Sequence, residues 1–230
     1  LASLDQTRNI VVANALAKWY LTAVSLLLGK EVEDISDRMG LYGFVKGRSS
    51  WEVAGPLKAI AQHASIWGRD RAAYIVSCDV ERAFDNVTLS TVARAMSKLG
   101  ISPLLQYALL EPLKDTIGTL TFEGLECVGV PWDRSIRTGG TESPMCFNLV
   151  VLAMWREVVD NWDRDGVGYE IPDVLDPSRH FVYNHAIWAD QFSGNIDHLR
   201  LYLCLYRPST QTSNFSLEQF HLFSADLKPQ

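Results

Sequence analysis

The run Ala73-Tyr74-Ile75-Val76-Ser77-Cys78-Asp79-Val80-Glu81-Arg82-Ala83-Phe84-Asp85 joins an apolar, β-prone stretch to an abrupt carboxylate. A buried strand that ends on Asp79 holds a carboxylate oxygen rigidly, as a bound cation requires. The same pattern also describes a core strand followed by a polar loop. Two further stretches carry chemistry-bearing residue types. Arg137-Thr138-Gly139-Gly140-Thr141-Glu142-Ser143-Pro144 is a tight polar loop, and its adjacent glycines permit positive φ and close backbone approach to a ligand. As plain structure it is a turn followed by a helix start. The stretch from Phe181 to Phe192 reads as a hairpin, with Ala186-Ile187-Trp188 rising, Ala189-Asp190 at the turn and Gln191-Phe192 returning. An acid at a hairpin tip is also a common turn former.

The elements that must position these residues follow from periodicity. Apolar residues at steps of three and four from Ile10 to Leu28 predict a mostly buried helix. Gly40 to Gly47 reads as loop. Ser49 and Glu52 form a capping-box pattern, which starts a helix that runs to about Trp67 with Val53, Leu57, Ile60, Ala61 and Ala64 inward. Leu89, Val92, Met96 and Leu99 make the stripe of another helix, capped by Thr88 or Ser90 and ended by Gly100. Ser102-Pro103 begins the next, which fades by Pro112. Gly118 to Val130 reads as a hairpin turning at Glu123-Gly124. Ser143-Pro144 starts an apolar helix through Val158, and Asp163 to Arg179 reads as a long polar connection.

Bulk properties bound the function classes. With 230 residues, 47% hydrophobic and 21% charged, the chain can bury a sizeable core and is globular in composition. No run is apolar enough to span a bilayer, since Ile10 to Leu28 is interrupted by Lys18. No membrane association and no signal peptide are expected. The four cysteines show no CxxC pair and read as reduced core residues of an intracellular protein, nuclear or cytoplasmic. A net charge of −6 argues mildly against an autonomous nucleic-acid binder, although Lys46/Arg48, Arg69/Arg71 and Arg134/Arg137 are local basic clusters. The first residue is Leu, so a fragment or processed piece is expected.

The order of these parts resembles the palm of reverse transcriptases, especially those of non-LTR retroelements and group II introns, from about Arg8 to Gln191. Gly43-Phe44-Val45-Lys46-Gly47-Arg48-Ser49 resembles that family's GFRxGRS motif. Asp79 to Asp85 resembles DxxxAFD, and Arg137 to Asn148 resembles RQGxxxSPxLFN. Trp188-Ala189-Asp190-Gln191 sits where the family has an aromatic-Ala-Asp-Asp box.

The resemblance implies an α+β, right-hand fingers-palm fold with an antiparallel palm sheet packed on helices. Residues 1–70 would be fingers-like and 71–200 the palm, with 201–230 a degenerate or truncated tail and no thumb. It implies RNA-directed DNA synthesis by two-metal nucleotidyl transfer, with an RNA template, a DNA primer and deoxynucleoside triphosphates as partners. Asp79 and Asp190 would hold two Mg²⁺ or Mn²⁺ ions, with the Val80 carbonyl as a further ligand. Phe84 would exclude a 2′-hydroxyl. Lys46, Arg48 and Arg8, the last from a flank loosely resembling YRPI, would contact triphosphate or template backbone. Gly139 and Thr138 would lie against the nascent base pair. Three positions depart from the pattern. Gln191 replaces the second Asp of the box, keeping an oxygen acceptor without the charge. Thr138 replaces a Gln, and Leu41 stands where a Gln commonly precedes the GF pair. A non-catalytic relic that keeps the fold as a nucleic-acid or protein binding module is therefore the alternative.

Overall fold

A computed structural model describes residues 11–66, 72–80, 83–122, 124–132, 135–165, 167–172, 178, 180–183, 185–189 and 199–207. Helices and antiparallel strands mix along the chain. The helices are α1 (Ala15–Glu31), α2 (Glu33–Arg38), α3 (Trp51–Ile66), α4 (Leu89–Leu99), α5 (Pro103–Leu110) and α6 (Ser143–Asp165). The strands are β1 (Ala72–Val80), β2 (Thr116–Phe122), β3 (Leu125–Trp132), β4 (Tyr169–Pro172), β5 (His180–Tyr183), β6 (His185–Ala189) and β7 (Leu199–Arg207). They form a three-stranded sheet in the order β1-β7-β6 and the two pairs β2-β3 and β4-β5. No helix among the described residues is long and apolar enough to cross a membrane.

Local signals account for most helix ends. Asn14 accepts the Ala17 N–H at 2.8 Å and caps α1. Glu52 Oε1 accepts the Ser49 N–H at 2.8 Å while Ser49 Oγ accepts the Trp51 N–H at 3.3 Å, the reciprocal bonding of a capping box. Thr88 caps α4, and Gly100 ends it at φ 78°, its N–H reaching the Met96 and Ser97 carbonyls. Ser102 caps α5, whose first residue is Pro103.

The core gathers around α6 and α4. Val92 and Met96 of α4 and Leu149 and Leu152 of α6 are fully buried, joined by Leu28 of α1 and by Ile187 of β6. Helix α1 corrects the expectation of a mostly buried helix. Only Leu21, Val24 and Leu28 face inward, while Leu16 and Trp19 are 80% and 79% exposed. Three inward residues at steps of three and four make one narrow stripe, and the remaining apolar side chains fall on the opposite face. In α3, Val53 and Ile60 are buried as expected but Ala61 is exposed. Cys127 is likewise an exposed thiol on β3, not a core residue, whereas Cys146 is buried.

Two further corrections concern the strands. The expected return of the hairpin at Gln191-Phe192 lies outside the described residues, and the described partner of β6 comes later in the chain. It is β7, registered Ala189↔Leu199 through His185↔Leu203. The signal was present, since Leu199, Leu201, Leu203 and Leu205 alternate with Arg200, Tyr202, Cys204 and Tyr206 at the period of a strand. β7 crosses the expected 200/201 boundary. The supposed connection from Asp163 to Arg179 holds the end of α6 and all of β4, which pairs with β5.

The loop from Gly40 to Phe44 is tied to β6. The Ile187 N–H donates to the Gly40 carbonyl at 2.9 Å, and the Tyr42 N–H donates to the Ile187 carbonyl at 3.0 Å. His185 fixes the same loop from its other side, with Nε2 at 2.7 Å from the Met39 carbonyl and its ring beside Trp155 and Trp162.

Burial ranks the first expected outcome. Leu149→Ala should lower the unfolding free energy by about 2–5 kcal/mol in urea melts, and Leu16→Ala should change it by less than about 0.5 kcal/mol. Equal effects would place the core elsewhere. The second outcome concerns pH. Desolvation pushes the His185 imidazole below its ordinary 6.5, outweighing the raising effects of the Met39 carbonyl and of Asp163. The unfolded chain takes up that proton near pH 6.5 and the folded chain resists it. Unfolding free energy should therefore fall as the pH drops from 6.5 toward 5.5, by up to about 1.4 kcal/mol per pH unit. His185→Gln should flatten that interval, and an unchanged slope in the variant would assign it to other groups.

Candidate functional site

The three-stranded sheet carries two of the chemistry-bearing segments to one end. Asp79 is next to last in β1, opposite Arg200 of β7, and Val80 is opposite Leu199. On the other side of β7, Trp188 is opposite Arg200 and Ala189 opposite Leu199. The backbones at positions 79 and 188 thus flank the same residue of the central strand, roughly 10 Å apart at two inter-strand spacings. Asp190 and Gln191 follow Ala189 in sequence and lie outside the described residues, as does Arg8. Of Asp79 and Val80 only the backbone course is described. Among the described residues no group of three His, Cys, Asp or Glu side chains is placed to hold a metal ion.

Phe84 lies just beyond β1. It is 2% exposed, stacked on Phe147 of α6 with centroids 5.2 Å apart and met edge-on by Phe44 at 6.3 Å. The expected sugar-facing ring is therefore covered in this structure. Asn148, the next residue of α6, donates Nδ2–H to the Gly43 carbonyl at 3.0 Å.

The basic residues of the Gly43–Ser49 segment differ in their freedom. Lys46 is exposed. Arg48 is engaged: it pairs with Asp37, bonds Glu52 Oε2 at 2.8 Å and sits 5.7 Å from the Tyr42 ring centroid. Hydrogen bonds to Glu52 and then Asp37 hold its guanidinium far above its ordinary value. In return, Arg48 and then the Ser49 N–H keep the Glu52 carboxyl below the usual range.

The glycine loop is braced by charge. Arg137 donates Nε–H and Nη2–H to Glu142 Oε1 at 2.9 and 2.7 Å, and both side chains are buried. Glu142 Oε2 has no hydrogen-bond partner among the described residues. Ser143 Oγ donates to the Arg137 carbonyl at 2.6 Å, and the Gly140 N–H donates to it at 2.9 Å. A Cβ on Gly140 would lie 2.5 Å from Glu142 Oε1 and 2.8 Å from Ser143 Oγ, both already fixed by those bonds, so only glycine fits. Gly139 is exposed at φ 94°, which glycine adopts without strain. The Thr138 carbonyl accepts the Val11 N–H at 2.8 Å, tying the loop to the chain before α1. Cys146 lies beside the ion pair, and burial pushes its thiol far up, so it is no nucleophile.

The family described as "Reverse transcriptase (RNA-dependent DNA polymerase)" matches residues 4–183. The chain belongs to the reverse transcriptase family. The matched span takes in the Gly43–Ser49 loop, the end of β1, Phe84 and the Arg137–Asn148 segment, and it stops before Trp188. The activity that names the family is nucleotidyl transfer. The aromatic trio, the Asn148–Gly43 bond and the Arg137–Glu142 pair were not anticipated as site features. Arg137 was read as the head of the glycine loop and as part of a basic cluster, not as half of an ion pair, and Glu142 five residues later, across a Gly-Gly turn, was the one available hint.

The ion pair yields a stability test. Glu142→Ala leaves a buried guanidinium without its partner and should cost about 3–5 kcal/mol in urea unfolding. The double variant Arg137→Met/Glu142→Met should recover most of that loss. A single-variant cost below about 1 kcal/mol would mean that the pair does not hold the loop.

Proposed function

We propose that this chain is the fingers and palm of a reverse transcriptase of the non-LTR retroelement or group II intron type, working inside the cell. It would extend a DNA primer on an RNA template by two-metal nucleotidyl transfer. The observation that supports this reading best is the sheet register, in which Val80 and Ala189 both face Leu199 from opposite sides. Asp79 belongs to one of those strands, and Asp190 is the next residue after the other.

The donor set suits hard divalent cations, being two carboxylates and the Val80 carbonyl. Asp79 and Asp190 would hold two Mg²⁺ or Mn²⁺ ions, which when bound stabilise the attacking 3′-hydroxyl oxygen and the leaving pyrophosphate. Gly139 lets the backbone approach the nascent base pair, with Thr138 beside it. Lys46, exposed, is the cation of its segment best placed to meet phosphate, and Arg8 would add to it. Arg48 acts mainly by ordering the segment through Asp37 and Glu52. Phe84 contributes to refusing a 2′-hydroxyl. Gln191 accepts a hydrogen bond without supplying charge, so transfer is slower than with a carboxylate there.

The second reading, a relic that binds without polymerising, is favoured by that same Gln191 and by the net charge of −6. Primer extension on an RNA template with deoxynucleotides, in Mg²⁺ and in Mn²⁺, separates the two. Wild type should extend the primer, Asp190→Ala should lose on the order of a hundredfold or more, and Gln191→Asp should gain. Silence from both wild type and Gln191→Asp, with folded protein, would establish the relic.

A further inference from the structure

Helix α1 is apolar on two sides. Leu21, Val24 and Leu28 face the core, and a second stripe faces away from it: Leu16, Trp19, Ala23 and Leu26, with Lys30 at its end. The outward residues recur at steps of three, four, three and four, the spacing of a seam that another helix fills. All five are exposed, Leu16 and Trp19 most of all.

Helix α5 widens this face. The Ser102 N–H donates to Glu31 Oε1 at 3.1 Å, and Tyr20 Oη donates to the Ala108 carbonyl at 3.0 Å. The start of α5 thus lies by the end of α1, and the two helices run antiparallel, side by side. Both rest on the same core, so the residues that point away from it share one surface. On α5 these are Leu104 and Tyr107, 76% and 64% exposed. An aromatic side chain presents about 150–250 Å². With Trp19, Tyr107 and the open leucines, the face offers on the order of 800 Å² of largely apolar surface, the share of one partner in a standard interface. The largest such patch on a typical monomer is roughly 300–600 Å².

The stripe is complementary to itself. A two-fold axis perpendicular to α1 at the level of Leu21 lays a second α1 alongside in the antiparallel sense. Leu16 then meets the partner's Leu26, and Trp19 meets the partner's Ala23, each contact made twice. The largest side chain of the stripe falls on the smallest, as close packing requires.

We propose that this chain forms a two-fold dimer, in which the α1-α5 pair of one copy packs on that of a second as an antiparallel four-helix bundle. Leu16 and Trp19 contribute little to the fold of a single chain, so their loss leaves the stability of a dilute chain unchanged. They act when two copies meet. The dimer also accounts for a helix whose sequence reads as buried on most sides. No residue of this face belongs to the metal or nucleotide site proposed above, so the dimer and the polymerase reading are tested apart.

Sedimentation equilibrium of the whole chain decides the matter. At about 100 µM the wild type should weigh twice its 25.8 kDa and should dissociate on dilution. Trp19→Glu puts a charge on the seam and Ala23→Trp adds bulk to it. Each should raise the dimer Kd roughly thirtyfold or more with unchanged circular dichroism. Disulfide trapping reads the register, in a Cys127→Ser background that removes the exposed thiol of β3. A Leu16→Cys chain should link to a Leu26→Cys chain under mild oxidation, and neither should link to itself. Single-chain mass at about 100 µM overturns the dimer and leaves the face to another segment or another protein. A dimer that Trp19→Glu does not weaken overturns this interface, and self-linking of each variant overturns the antiparallel pairing.

Discussion

Ten side chains of α6 are buried, from Ser143 at its start to Val159 near its end, and they occupy nearly every side of its first four turns. A helix with so little polar face has to lie inside a core, and each fully buried Leu or Val contributes about 1.5–3 kcal/mol to keeping it there. Most described segments of the candidate site are attached to this helix. Its N-terminal turn receives the glycine loop through Glu142 and Ser143. Its second turn holds Phe84 through Phe147 and the Gly43 loop through Asn148. Its fourth turn presents Trp155 to His185 at the head of β6. A displacement of α6 would move these four segments together.

Charge within the described residues does structural work first. Arg137 is spent on Glu142, and Arg48 on Asp37 and Glu52. These pairs differ in kind. The first is buried, so its two charges depend on each other, and its removal exposes the cost of an unpaired ion. The second is partly open to water and shapes a loop at small energetic gain. With Arg137 and Arg48 committed to carboxylates, an exposed lysine such as Lys46 is the cation of these two segments that is open to a polyanion.

Helices α4 and α5, the capping box of α3 and the β2-β3 hairpin were legible in the sequence because each is specified within a dozen residues, by a cap, a proline, a glycine or a period. The outward half of α1 was misread because apolar content was taken for burial, although its inward stripe is narrow. β4 and β7 were missed for another reason: one is only four residues long, and the other was expected nearer to β6 and pairs on its far side with β1, more than a hundred residues away. The candidate site shows the same division. That β1 and β6 belong to one sheet was legible from motif order, but their expected adjacency was not borne out, because β7 lies between them. The Arg137–Glu142 pair, the covered Phe84 ring and the Asn148–Gly43 bond are products of packing and have no local signature.

The place of β7 at the centre of its sheet has a consequence for how the protein comes into being. β1 and β6 are not paired with each other; among the described strands each is hydrogen-bonded to β7, the last of them, and β6 is bonded besides to the Gly40–Tyr42 loop. On a ribosome, β1 emerges more than a hundred residues before the strand that completes it, and at about 5–20 residues per second that gap lasts many seconds. Through that interval the apolar edge of β1 has no sheet partner, and it is open to pairing with other chains. The helical part of the core, α1 with α4, α5 and α6, can assemble earlier from nearer contacts. The sheet end that carries Asp79 is thus completed last during synthesis, and a chain interrupted before Leu199 would hold a packed helical core beside two strands that nothing joins.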